Sequence, residues 1–362
     1  MRIVKPVALA VLVLTIVGAG YTWKDAERQR ALTALEVLAV QYDSSAPLTP
    51  IIPGSGDFIA IAITSIARAA QSDPGYRTVL ENLQDGHPAE AASLLQTIAN
   101  SGIQIPERFR TLGAIAGLTD TGRARLAYAK AAELDPDNPD GLFCLAWLEL
   151  HAQDTGAASR DFLHLLTGNA GAREIFWARI GLGDIANARG RSAEALADYT
   201  TAQRLLNIQI AKSPGQNTAA EHDLLLSTLR IGDVLTAWQS LPGALTSYRD
   251  SLGIVSKLLE TVPTAVLWQR ERALTLDRIG DVLKAQGHWV EALTAYRESL
   301  SIRTALNNAA PQAVALQQDV SRSHEAIGDL QARQGAWADA AQSFRAARSG
   351  DRRRQARRCV VS

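Results

Sequence analysis

The sequence has little of the chemistry on which catalytic, metal-binding and nucleic-acid-binding proteins depend. Its 362 residues include two cysteines, one methionine and six histidines. Cys144 and Cys359 cannot form a disulfide framework and lack the spacing of metal ligands, and the histidines form no HExxH-type pair. Basic and acidic residues both number 37, so there is no basic excess for general binding to nucleic acid. We therefore expect no catalytic residue, cofactor, metal site or nucleic-acid partner.

What the sequence does contain is a phrase repeated four times in its C-terminal half. A Gly-Asp dipeptide follows an apolar residue at spacings of 49, 48 and 48, with its glycine at Gly183, Gly232, Gly280 and Gly328. Twelve positions after each glycine stands an alanine: Ala195, Ala244, Ala292 and Ala340. Sixteen positions after it stands an aromatic residue: Tyr199, Tyr248, Tyr296 and Phe344. An internal period of this length indicates stacked supersecondary units, as in a solenoid.

Each unit predicts two helices joined by a turn. The apolar residues around Tyr296 follow a helical stripe, and strand-type runs of β-branched residues are absent from this region. Three units have a turn signal between the Gly-Asp and the alanine, at Gly190, Gly287 and Gly335. The second unit instead has Pro242-Gly243 slightly later. Small residues would let the two helices cross closely, and the aromatic side chain would fill the space beside them.

This pattern resembles the tetratricopeptide repeat (TPR), which has Leu-Gly in its first helix and alanine and aromatic positions in its second. Degenerate earlier copies include Leu112-Gly113 with Tyr128, and Leu145 with Phe162. The resemblance covers residues 75–349 and is of a long-repeat bacterial type, since the later units exceed the usual length of about 34 residues. It implies an all-α, right-handed superhelical solenoid of antiparallel helix pairs.

The N-terminus predicts a membrane segment. Residues 6–23 contain no charge and lie between Lys5 and Lys24. Eighteen helical residues span about 27 Å, enough for one membrane crossing. We expect residues 1–23 to be an uncleaved signal anchor; a cleaved signal peptide is the alternative, because small residues around Ala19 suit a peptidase. The flanking charges predict a single-pass protein of the bacterial inner membrane with its repeats in the periplasm.

The remaining chain divides by composition. Residues 24–57 predict a juxtamembrane helix and a Pro/Gly linker, and 58–74 an apolar packing helix, with an interfacial membrane helix as the alternative. Degenerate repeats follow over 75–172 and the long repeats over 173–349. The basic tail, 350–362, is either a solvated helix end or, in the cytoplasm, a segment that binds anionic lipid or nucleic acid.

A partner-binding groove is the function that the resemblance implies. In TPR proteins the first helix of each unit lines the concave surface, where extended or helical segments of partners bind. The position after the glycine would face that surface, which places four aspartates in a row: Asp184, Asp233, Asp281 and Asp329. Lys284 and Arg333 would lie one turn further along. Such a row would select a partner carrying lysine or arginine. Alternatively, the aspartates are neutralised within their own helices, as Asp233 by Arg230 and Asp281 by Arg278.

These observations predict a non-enzymatic scaffold that is tethered to the inner membrane and binds protein partners. Two alternatives stay open. One is an envelope assembly or secretion factor, which would handle several clients rather than one partner. The other is a cytoplasmic regulatory module coupled to a separate effector, which would require the opposite membrane topology.

Overall fold

The chain is helical wherever its structure is described. The computed structural model describes residues 52–53, 55–212, 218–311 and 313–348, which contain helices and turns and no strand. The all-α prediction is therefore confirmed. The predicted anchor, the juxtamembrane helix, most of the linker and the basic tail lie outside the described residues. The chain divides into two compact units, Met1–Arg191 and Ser192–Ser362.

The N-terminal unit consists of eight described helices, in which each helix packs against its neighbours in sequence. They are α1 (Ser55–Ala69), α2 (Pro74–Gln84), α3 (Pro88–Asn100), α4 (Pro106–Ala116), α5 (Thr121–Leu134), α6 (Pro139–His151), α7 (Thr155–Thr167) and α8 (Ala172–Ala188). Several begin at a capping side chain: Asp120 accepts a hydrogen bond from the amide of Arg123, and Asp154 accepts one from Ala157. Edge-to-face contacts of Trp147 with Phe162 and Trp177 join α6, α7 and α8 in the core.

The C-terminal unit has longer helices. They are α9 (Ser192–Lys212), α10 (Thr218–Ala237), α11 (Leu241–Thr261), α12 (Val266–Ala285), α13 (Trp289–Ala309) and α14 (Val314–Arg333), followed by helical residues 337–348. Helices α10 and α11 form one antiparallel pair and α12 and α13 the next, and α11 packs against α12 to stack the pairs. These are the two-helix units that the 48-residue repeat predicts.

The turn within each pair contains a residue with a positive φ angle. Gly287 and Gly335 adopt positive φ angles of 80° and 78° just after their helices. The next amide bonds back to the carbonyl five residues earlier, as from His288 to Leu283 at 2.9 Å, which is a Schellman cap. In the second repeat the left-handed residue is Gln239, with φ 58°, and not the later Gly243 that the sequence suggested. The turn position is therefore preserved although its glycine is not.

The membrane prediction fails in the described part of the chain. No helix there is long and apolar enough to span a bilayer. The predicted localisation in a bacterial inner membrane, with periplasmic repeats, is therefore wrong. The apolar stretch after residue 57 belongs to α1, which has fifteen residues and packs against α2 and α4, burying Ile63 and Ile66 completely. Most of its apolar side chains are thus buried within the protein, although Ile61 is 60% exposed.

Candidate functional site

In the C-terminal unit, the glycine of each Gly-Asp dipeptide lies against the aromatic ring of the following helix. A Cβ atom on Gly280 would lie 2.6 Å from the ring of Tyr296, so only glycine admits the ring. The hydroxyl of Tyr296 donates a 2.6 Å hydrogen bond to Asp281, and that of Tyr248 donates a 2.7 Å bond to Asp233. Burial, more than these carboxylates, raises the pKa of both phenols. The motif therefore locks the two helices of a pair together.

Asp233 also connects one helix pair to the next. The guanidinium of Arg278, on α12, donates from Nε at 2.7 Å and from Nη2 at 3.1 Å to the two carboxylate oxygens of Asp233 on α10. We expected Arg278 to neutralise Asp281 three residues along its own helix; instead it binds the aspartate of the preceding repeat. A bidentate contact of this kind is strong and orientation-specific. Both carboxylate oxygens of Asp233 are consequently engaged by Arg278, although 41% of the aspartate side chain stays exposed.

The carboxylate of Asp281 is only partly occupied by hydrogen bonds from within the chain. Lys284 donates to its Oδ1 atom at 2.9 Å and lies 5.6 Å from the centre of the Tyr296 ring. The residue equivalent to Arg278 in the next repeat is Ala326, which has no donor to offer. The side chain of Asp281 stays 59% exposed. Within the predicted row, Asp281 therefore keeps an exposed carboxylate that can accept a further hydrogen bond.

Asp329 and Arg333 are exposed, and neither forms a hydrogen bond or ion pair with the residues that the structure describes. Phe344 stands where the earlier repeats have tyrosine, and its ring packs over Gly328 without a hydroxyl for Asp329. Asp184, at the end of the N-terminal unit, is half-buried and has interactions of its own. Some of the predicted aspartates are thus bound by residues of the chain, and the others keep exposed carboxylates.

A second row of carboxylates, which the single motifs do not indicate, is buried. Asp223, Glu271 and Asp319 are 2%, 2% and 3% exposed and lie 48 residues apart, ten positions before the aspartate of each motif. Aligning the repeats in register would have found them. Asp319 accepts a 3.0 Å hydrogen bond from Arg270 of the preceding repeat and a bond from Arg322 of its own helix. A buried carboxylate therefore recurs once in each of these repeats, in addition to the motif aspartate.

An ion pair between the buried Arg303 and Asp277, whose side chain is 21% exposed, joins α13 to α12. Arg303 lies 2.6 Å from Asp277 and also donates to the hydroxyl of Ser323 at 2.8 Å. Burial nevertheless raises the pKa of Asp277, and Arg303 offsets only part of that effect. The pair therefore costs desolvation energy, which its mutual attraction and hydrogen bonds must repay.

The tryptophans divide by position. Trp177 and Trp268 are buried and serve packing within their units. Trp238, Trp289 and Trp337 lie next to the turns of three successive helix pairs and are 47%, 39% and 71% exposed. No group of three or more histidine, cysteine, aspartate or glutamate side chains among the described residues is placed to hold a metal ion.

The similarity of this chain to known proteins is confined to the fold. No protein-family model matches the sequence, and no curated protein matches it significantly. BtubC (BKLC) from P. vanneervenii is 14% identical, with 65% of this chain and 89% of that chain covered, at a TM-score of 0.50. A tetratricopeptide repeat protein from Parabacteroides merdae is 15% identical, with 80% and 98% covered, at 0.43. The apo form of RapI is 13% identical, with 78% and 97% covered, at 0.46. The described helices stack in antiparallel pairs, as the repeat pattern predicts, and the likeness to BtubC is one of fold alone.

Proposed function

We propose that this protein is a non-enzymatic scaffold that binds protein partners through the open carboxylates of its repeat motif. The observation that carries this proposal is the contrast between equivalent positions. Asp233 binds an arginine from within the chain, whereas Asp281 and Asp329 keep exposed oxygens. The arginine bound by Asp233 therefore shows, within the chain, the kind of side chain that the motif aspartate can bind.

The partner would present a lysine or arginine side chain to Asp281 or Asp329. Arg278 shows that a guanidinium fits against the motif aspartate with two hydrogen bonds. Ala326 leaves the corresponding place beside Asp281 without a cation, which a partner would provide. Lys284 and Arg333 flank these carboxylates, so an acidic residue next to the partner's cation would be favoured. Charges arranged in this way govern encounter and register more than affinity.

Affinity capture with cross-linking tests the proposal on the full chain. We would compare the native protein with Asp329→Lys and with the control Asp339→Lys, which also reverses an exposed charge, on the following helix. Asp329 makes no internal hydrogen bond in the described part of the chain, so its substitution is expected to leave the thermal unfolding midpoint unchanged. A specific partner should be lost from Asp329→Lys and retained by Asp339→Lys.

The number and behaviour of the captured proteins separate the outcomes. One dominant partner that depends on Asp329 would support a dedicated scaffold, and several such partners would support a factor that handles many clients. If both variants retain the same partners, Asp329 is not part of the binding site. If no protein is enriched above a matched unrelated helical protein, the scaffold function itself is refuted.

A further inference from the structure

Glu271 lacks the donors that the equivalent carboxylate receives one repeat later. Asp319 is satisfied by Arg270 from the preceding repeat and by Arg322 three residues along its own helix. The corresponding positions around Glu271 are His222 and Leu274, and leucine offers no donor. The Oε2 atom of Glu271 is buried and has no hydrogen-bond partner among the described residues. A charged carboxylate in this place is therefore poorly compensated.

Glu271 lies between two ion pairs that connect its helix to the neighbouring repeats. Arg278, two turns further along α12, binds Asp233 on α10. Arg270, the adjacent residue, binds Asp319 on α14 at 3.0 Å. Both guanidinium groups act on Glu271 electrostatically, but each binds another carboxylate, and the Nε atom of Arg270 is buried without a partner among the described residues.

The remaining charged groups on the elements packed around α12 do not replace these donors. Arg230 on α10 is the third cation that acts on Glu271 electrostatically. Arg303 on α13 is paired with Asp277, and Glu298 on α13 with Arg272. On α11 the charged side chains are exposed: Arg249, Asp250, Lys257 and Glu260.

We propose that Glu271 makes the stacking of the α12–α13 pair on its neighbours proton-dependent, because the stacked form holds this side chain uncharged. Opening of the stack would admit water to the carboxyl group and let it ionise. The inference goes beyond the proposed partner binding, since it concerns how the helix pairs are coupled to each other.

The direction of the effect follows from linkage. Burial raises the pKa of Glu271 from 4.5 to about 7, although the three arginines lower it in part. Because the folded value is raised, the stabilisation from uncharged Glu271 is complete below about pH 4.5 and is lost as the pH rises towards 7. One proton is released on opening in that window, so the opening equilibrium should rise up to about tenfold for each pH unit.

Hydrogen exchange measured by mass spectrometry on the full chain tests this inference. Exchange of α10 and α12 amides, corrected for intrinsic rates, should accelerate between about pH 5 and about pH 7 in the native protein. Glu271→Gln, which resembles the uncharged acid, should lose most of that acceleration. The control Glu260→Gln removes an exposed carboxylate of the same unit and should behave as the native protein does.

A second variant keeps the inference testable if Glu271→Gln does not fold. Leu274→Arg places a donor three residues after Glu271, as Arg322 is placed after Asp319, and should move the acceleration to lower pH. The proposal is overturned if either folded variant exchanges with the native pH dependence, or if Glu260→Gln removes that dependence instead. Partner capture through Asp329 would be unaffected by such a result, so the two proposals fail separately.

Discussion

Arg278 binds Asp233 across 45 residues of sequence, with both carboxylate oxygens engaged. The same carboxylate accepts the hydroxyl of Tyr248, so one aspartate fastens a helix to its own partner and to the next repeat. The contacts within and between helix pairs therefore already explain why Gly-Asp is repeated, without any binding function. The proposed binding role concerns those copies, Asp281 and Asp329, whose internal partners are incomplete.

Replacing Gly280 with alanine should destabilise the C-terminal unit. The added methyl group would lie 2.6 Å from the ring of Tyr296, which is buried and cannot move without breaking its bond to Asp281. Overpacking of this kind costs about 1–3 kcal/mol. The control is Gly253→Ala in the exposed part of α11, where the methyl group meets nothing within 4 Å and should stabilise by up to about 1 kcal/mol. Chemical denaturation of both variants checks this, and equal shifts would contradict it.

Exchanging the hydroxyl between repeats should move stability in opposite directions. Tyr248→Phe leaves Asp233 with one donor fewer and is expected to cost about 1–2 kcal/mol. Phe344→Tyr gives Asp329 the hydroxyl that its repeat lacks and should add about 0.5–1 kcal/mol. Denaturation midpoints measure both effects. Stabilisation by Tyr248→Phe, or destabilisation by Phe344→Tyr, would show that the two sites are not equivalent.

The sequence predicted the helices and their closest contacts well because both depend on local spacing. Gly280 and Tyr296 stand at a fixed separation on consecutive helices, so their meeting follows from the repeat alone. The sequence did not predict that Arg278 binds Asp233 and not Asp281, because this contact depends on how far apart successive helix pairs stack. The burial of Glu271 did not follow for a related reason: the 48-residue spacing shows that an acidic residue recurs there, but not that the packing of its neighbours covers it.

Gln239→Gly should stabilise the turn between α10 and α11. Gln239 adopts φ 58°, a left-handed conformation that costs an L-residue about 1 kcal/mol and costs glycine nothing. Part of that gain is offset by the greater entropy of glycine in the unfolded chain, so we expect a net gain of about 0.5 kcal/mol. Gln286→Gly is the control, because Gln286 has φ −80° and should lose stability on substitution. Thermal unfolding distinguishes them, and a loss in both variants would refute the prediction.

Glu149 should add a separate pH dependence to the N-terminal unit. Burial, with the neighbouring carboxylates of Asp161 and Asp154, raises the pKa of Glu149 from 4.5 to about 7. Since the folded value is raised, stability should fall as the pH rises from about 4.5 to 7 and level off above that range. Glu149→Gln should flatten this part of the profile, whereas Glu90→Gln, at an exposed position, should not. Exchange of α6 and α7 amides across this range gives the measurement, and an unchanged slope in Glu149→Gln would exclude this carboxyl group.

The buried pair of Arg303 and Asp277 should be replaceable as a pair but not singly. One repeat earlier the same positions hold Val255 and Leu229, which are 0% and 4% exposed, so the architecture already tolerates an apolar pair there. Arg303→Val alone leaves the carboxylate of Asp277 buried without its cation, and should cost about 3–5 kcal/mol. Asp277→Leu alone strands the guanidinium and should cost a similar amount.

The double variant Arg303→Val with Asp277→Leu should recover most of that loss, because the desolvation penalty of both ions disappears together. Its stability should lie within about 1–2 kcal/mol of the native protein, with the hydroxyl of Ser323 left to its remaining bond to the carbonyl of Asp319. Urea denaturation of the native protein, both single variants and the double variant gives the coupling energy directly. Additive losses in the double variant would mean that Arg303 stabilises the fold mainly through Ser323 and the α14 backbone, and not through Asp277.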